Sequence, residues 1–134
     1  MFRVSRTTDY ALNVMHHMAL CGDGVVSSTD LAEKTGISEP NVAKVLKLLA
    51  HAGFVSSTRG VSGGYKLARQ LADINMADFI AAMEGPIAVT ACIDGHKSDC
   101  SLHDICLSRG KWGMVNSVIA QALQGITLQQ TVTK

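Results

Sequence analysis

The chain has 134 residues, 47% of them hydrophobic and 17% charged, which supplies a real core for one domain and excludes wholesale disorder. Its net charge of +1 divides unevenly: residues 1–70 carry eight Lys/Arg against five Asp/Glu, and residues 71–134 carry four against six. The total says little, but the basic excess in the first half hints at an anionic partner there.

The opening "MFRVSRTTDYALNVMHHMALCG" has basic residues before an apolar run, as an export signal does, but Asp9, Asn13, His16 and His17 interrupt it. It is too polar for a signal peptide and too short to span a bilayer, so a cytoplasmic protein with no membrane partner is expected. Ala11, Val14, Met15 and Met18 recur with helical spacing and predict an amphipathic helix over Thr8 to Leu20. In "SSTDLAEKTG", Ser28 or Thr29 is the expected cap of a helix barely two turns long, and Gly36 its stop. Ser38 then caps a third helix, with Glu39 favourable at its N-terminus and Pro40 suited to the first turn. Val42, Val45, Leu46 and Leu49 form its core stripe, which leaves Lys44, Lys47 and His51 on other faces.

A short helix, the three-residue turn "GIS" and a polar-started helix make a helix-turn-helix, whose second helix meets base edges in the major groove. "FVSSTRGVSGGYKLAR" changes period: Phe54–Arg59 and Gly64–Ala68 read as strands of a glycine hairpin with Arg59 at its tip. A hairpin in that place is a wing, and its arginine can enter the minor groove. Each feature alone fits a bland surface; in this order they point to double-stranded DNA. The expected contacts are Ser38, Glu39, Pro40, Asn41, Lys44 and Lys47 from the helix, and Arg59, Gly60 and Lys66 from the hairpin.

The second half opens with "INMADFIAAMEGP", a helix with stripe Met76, Phe79, Ile80 and Met83, cap Asn75 and stop Gly85-Pro86. A longer helix is expected from about Leu107 to Leu123. Its apolar face (Trp112, Met114, Val115, Val118, Ile119, Ala122 and Leu123) is wider than packing on one small domain requires, which favours a two-fold homodimer. "ITLQQTV" should fold back on the body. The fold class is thus mainly α with a small β-hairpin. Residues 1–70 form the DNA-binding region, and 71–134 carry a cysteine loop and dimer helix within one compact unit.

That loop is "TACIDGHKSDCSLHDICLSRG", with Cys92, Cys100 and Cys106 spaced C-x7-C-x5-C. Zinc sites usually contain close C-x2-C pairs, and a disulfide leaves one thiol over in a reducing compartment. Thiolates at loose spacing reach around an iron–sulfur cluster more readily than around a single ion, so a cluster is preferred to zinc. Cys21, isolated at the end of the first helix, reads as a small buried hydrophobe.

"RTTDYALNVM", "LAEKTGISEPNVAKVLKLLAHAGFVSSTRGVSGGYKLAR" and the three cysteines before a Trp-bearing helix resemble the bacterial iron–sulfur-dependent winged-helix regulators of the IscR and NsrR type, over essentially the whole chain. "MEGPIAVTAC" and "CLSRGKW" look closest to the regulators of the SUF cluster-assembly operon. The resemblance implies a homodimeric repressor of promoter DNA, without enzyme activity or small-molecule substrate. It would respond to cluster status, iron, or oxidative or nitrosative stress. It also implies one cluster per subunit on Cys92, Cys100 and Cys106, with 2Fe–2S favoured over 4Fe–4S. In the IscR type a histidine three residues after the third cysteine completes the site; here Arg109 stands there and cannot. In the NsrR type an aspartate from the partner's first helix does so, and Asp9 matches it; His96 and His103 are local candidates. A zinc-binding or thiol-sensing regulator without a cluster, and a small iron–sulfur electron carrier, are the rival readings.

Overall fold

Ser5 sets where the first helix begins. In extended backbone, its Oγ accepts from the Thr8 N–H at 3.2 Å, and α1 runs Arg6–Leu20. The start lies two residues ahead of the apolar spacing, because a cap precedes the stripe it serves. The computed structural model describes residues 3–93 and 100–132, and in it Ala11, Val14, Met15 and Met18 are all buried. Cys21, expected to be buried, is only half-buried: it caps the C-terminus of α1, where the chain turns outward, and its Sγ accepts from Lys34 Nζ at 3.1 Å.

The second helix, α2, is Ser28–Thr35 and is capped by Ser27 rather than by Ser28 or Thr29. Ser27 has the extended backbone a cap needs, and its Oγ accepts from the Asp30 N–H at 3.1 Å. Gly36, at φ +74°, ends α2 in the left-handed region and leads into α3, Glu39–His51. The Thr35 hydroxyl braces that turn, donating to the Leu31 carbonyl at 2.7 Å and accepting from the Ile37 N–H at 3.2 Å. Val42, Val45, Leu46 and Leu49 face inward and close the core over α1 and Leu31.

Two short strands follow: β1 (Val55–Thr58) pairs antiparallel with β2 (Gly64–Leu67), with Val55 opposite Leu67 and Thr58 opposite Gly64. They are shorter than the sequence predicts, since Phe54 turns into the core and Arg59 already belongs to the loop. One tie was not foreseen. The Val26 N–H donates to the Tyr65 carbonyl at 2.8 Å, and the Tyr65 N–H donates back to Val26 at 2.7 Å, fixing the wing to the connection between α1 and α2. A Cβ on Gly64 would stand 2.5 Å from the Val26 oxygen, and one on Gly63 2.3 Å from the Thr58 oxygen. Backbone approach, not flexibility, requires the paired glycines.

The fourth helix, α4, is Met76–Glu84, capped by Asn75, whose Oδ1 accepts from the Asp78 N–H at 2.8 Å. Phe79 and Ile80 enter the core, where the rings of Phe54 and Phe79 lie 6.0 Å apart. After α5 (Arg109–Gln124) the chain folds back as expected: the Met76 N–H donates to Ile126 at 2.7 Å and the Leu128 N–H donates to Ile74 at 2.9 Å. Leu128 is fully buried, so the tail completes a core begun by α1. Among the described residues no helix is long and apolar enough to cross a membrane.

Candidate DNA interface and cysteine loop

The stripe that buries Val42, Val45, Leu46 and Leu49 forces the rest of α3 outward. Ser38, Glu39, Pro40, Asn41, Lys44 and Lys47 are all exposed. Ser38 occupies the cap position, but its hydroxyl makes no capping bond, contrary to its expected role. The first-turn N–H groups therefore keep their free donors at the end of the helix that would meet a groove. Arg59 and Gly60 are exposed at the start of the wing loop and Lys66 on β2. Among the described residues the one contact of a basic side chain with a carboxylate is His103 with Asp104, at 3.1 Å, and Lys44, Lys47, Arg59 and Lys66 have no carboxylate partner. Unpaired cations on two adjoining elements form a surface suited to a polyanion.

Two features escaped sequence reasoning. Arg6, Thr7 and Tyr10 of α1 line a cleft with Asn41, Lys44 and Val45 of α3. The spacing of the first three on the outer face of α1 was the available signal. Glu84, at the end of α4, accepts from the Thr8 hydroxyl at 2.6 Å and from the Ser5 N–H. The Thr8 bond first, then the Ser5 N–H, holds its carboxyl below the ordinary carboxylate range. A charge from α4 thereby supports the N-terminus of α1. No sequence pattern signals a pair 76 residues apart.

The cysteine loop leaves α4 at Gly85. Asn116 of α5 holds its first part, accepting from the Val89 N–H at 3.0 Å and donating to the Ile87 carbonyl at 2.9 Å. Cys92 is half-buried with its Sγ 3.1 Å from Thr90 Oγ1, whereas Cys100 and Cys106 are exposed on either side of the turn segment 101–105. All are free thiols. Among the described residues no three His, Cys, Asp or Glu side chains gather at metal-binding distance. Asp9 is exposed on α1, His103 contacts Asp104, and His96 lies outside the described residues. Arg109, which opens α5, is exposed. Three accessible soft donors, none consumed in a disulfide, fit a group that takes thiolate ligands.

On α5 no residue is buried, and Trp112, Met114 and Val118 remain 45%, 67% and 61% exposed. That is the broad face anticipated from the sequence.

Residues 4–134 match the family described as Rrf2, iron-dependent transcriptional regulator. The HTH-type transcriptional regulator IscR of Photobacterium profundum is 35% identical over 127 residues, spanning 94% of this chain and 73% of that protein. Among solved structures, T. potens IscR is 34% identical with a TM-score of 0.68, over 96% of this chain and 85% of that one. CymR, the global cysteine regulator of B. subtilis, is 27% identical with a TM-score of 0.72, over 97% and 95%. With an outward-facing α3, a wing braced on Val26 and a match along nearly its whole length, the chain belongs to the Rrf2 family of DNA-binding transcriptional regulators and is not an enzyme.

Proposed function

We propose that the protein is a cytoplasmic, homodimeric repressor that senses iron–sulfur cluster status and controls cluster-assembly genes of the SUF type. One observation carries the reading: three free thiols, Cys92, Cys100 and Cys106, stand in a single loop whose ends are fixed by α4 and α5. These residues would hold the cluster, 2Fe–2S ahead of 4Fe–4S, and Asp9 of a second copy would supply the fourth ligand. When bound, the cluster supplies a centre sensitive to oxygen, nitric oxide and iron supply.

The chain's own residues supply the rest. Ser38, Glu39, Pro40, Asn41, Lys44 and Lys47 address the major groove; Arg59 enters the minor groove, with Gly60 allowing close approach and Lys66 adding charge. The exposed face of α5 pairs with its symmetry mate and sets the separation of two α3 helices. A change at the cysteines shifts that separation through α5, and the two states differ in operator affinity.

Anaerobic purification, an absorbance scan and analysis of iron, sulfide and zinc test the reading. Wild type should be coloured, with iron and acid-labile sulfide, and Cys100→Ala colourless. Protein without sulfide, or carrying zinc instead, would establish a cluster-free regulator. A Cys100→Ala protein retaining full colour would overturn the ligand set.

A further inference from the structure

The cleft between α1 and α3 is built like an anion seat. Arg6, Thr7 and Tyr10 line it from the first turns of α1, and Asn41, Lys44 and Val45 from the start of α3. Val45 is buried and gives an apolar floor, while Arg6, Asn41 and Lys44 are exposed at the rim. Its lining residues carry two cations, two hydroxyls and a side-chain amide, and among the described residues no carboxylate lines the cleft. Neither Arg6 nor Lys44 has an ion-pair partner among the described residues. Such a donor set, with no acceptor of opposite charge, matches an oxyanion with several equivalent oxygens.

Placement decides which oxyanion. Asn41 and Lys44 belong to the helix that addresses the major groove, so the cleft opens beside the base-reading surface, where the duplex presents its backbone. We propose that it seats one operator phosphodiester per protomer: Arg6 neutralises the charge, Lys44 flanks it from the α3 rim, and Thr7, Tyr10 and Asn41 donate hydrogen bonds. This rests on the DNA-binding reading and adds α1 as a second anchoring element. Phosphate contacts fix register without reading sequence. The cleft thus sets the depth and angle at which α3 enters the groove.

The test uses full-length protein and its Arg6→Gln variant. Binding to operator and to an unrelated duplex is followed by fluorescence anisotropy across a salt series, with circular dichroism to verify the variant's helix content. Loss of one phosphate contact should weaken binding about eightfold per protomer at about 0.1 M salt, equally for both duplexes. The plot of log affinity against log salt should become shallower by about 0.9 per protomer. Ethylation interference should lose one sensitive phosphate in each half-site. A variant with wild-type slope and an unchanged interference pattern overturns the clamp alone. A wild-type chain that binds no duplex overturns the regulator reading, and the clamp with it.

Discussion

Removing two carbons from the exposed face of α5 should loosen the proposed dimer by a calculable amount. Val118 is 61% exposed in the single chain and flanks Trp112 and Val115, which are 45% and 38% exposed. Burial against a symmetry mate would remove this area from water twice, because an isologous interface contains each residue in two copies. Val118→Ala deletes two carbons worth about 0.8 kcal/mol each when fully buried. Scaled by the 61% still open to water, the loss is about 1 kcal/mol per protomer. For the dimer that is about 2 kcal/mol, or roughly a 30-fold rise in dissociation constant. Sedimentation equilibrium on wild type and variant reads this directly. Because Val118 is 61% exposed and lies outside the protomer's core, circular dichroism should be unchanged. Equal dissociation constants for the two proteins, or a wild type that sediments as a monomer at micromolar concentration, would refute the reasoning.

Arg59→Ala should cost about 1–3 kcal/mol of operator affinity while leaving absorbance from the proposed cluster unchanged; titration of labelled operator decides it, and an unchanged affinity removes the wing from recognition. Gly64→Ala should destabilise the fold by about 1–3 kcal/mol, because its Cβ meets the Val26 oxygen at 2.5 Å and backbone cannot yield without breaking the Val26–Tyr65 pair. Gly110→Ala in α5 meets open space and should be neutral or mildly stabilising; thermal melts of the two glycine variants beside wild type check both expectations. His16, 3.1 Å from the Thr131 hydroxyl, has its pKa lowered below the ordinary 6.5, chiefly by burial. The unfolded chain then binds more protons between those two values, so its contribution is full above pH 6.5 and lost as pH falls from there through the folded value. His16→Gln should flatten the pH dependence of Tm below pH 6.5, and an unchanged profile would count against it.

The helices were legible because each has a stripe that must be buried and a terminal signal of its own. Ala11–Met18 and Val42–Leu49 needed nothing beyond spacing. Caps were less legible: three hydroxyl residues in succession, Ser27, Ser28 and Thr29, leave the choice to backbone conformation, which favours Ser27. The Val26–Tyr65 bridge was not legible at all, since a single pair of residues has no period, although the glycine it demands was visible in "SGG". The exposed residues of α3, proposed to face DNA, could be read as the complement of its core stripe. The cleft beneath them could not, because its second wall comes from α1, more than thirty residues earlier in the chain. For the cysteines, residue types and spacing state the proposed donor set; on that proposal their assembly would depend on atoms that are not part of the chain, so no pattern within it specifies the geometry.

These pieces converge on the first turn of α1. Glu84 is the last residue of α4, immediately before Gly85 and the cysteine loop, and its carboxylate grips Ser5 and Thr8. The same turn carries Asp9 on its exposed side and turns Arg6, Thr7 and Tyr10 toward α3. On the proposed reading, one helical turn would then meet the partner's cluster, the α4 clamp and the operator backbone. A displacement of the loop would reach α1 through Glu84 without repacking the apolar core, which costs far more than exchanging two hydrogen bonds at an exposed carboxylate. On that reading, a core that stays packed while its rim exchanges partners would permit two DNA-binding states of nearly equal stability. That near-equality is what lets a ligand of modest differential affinity switch between them.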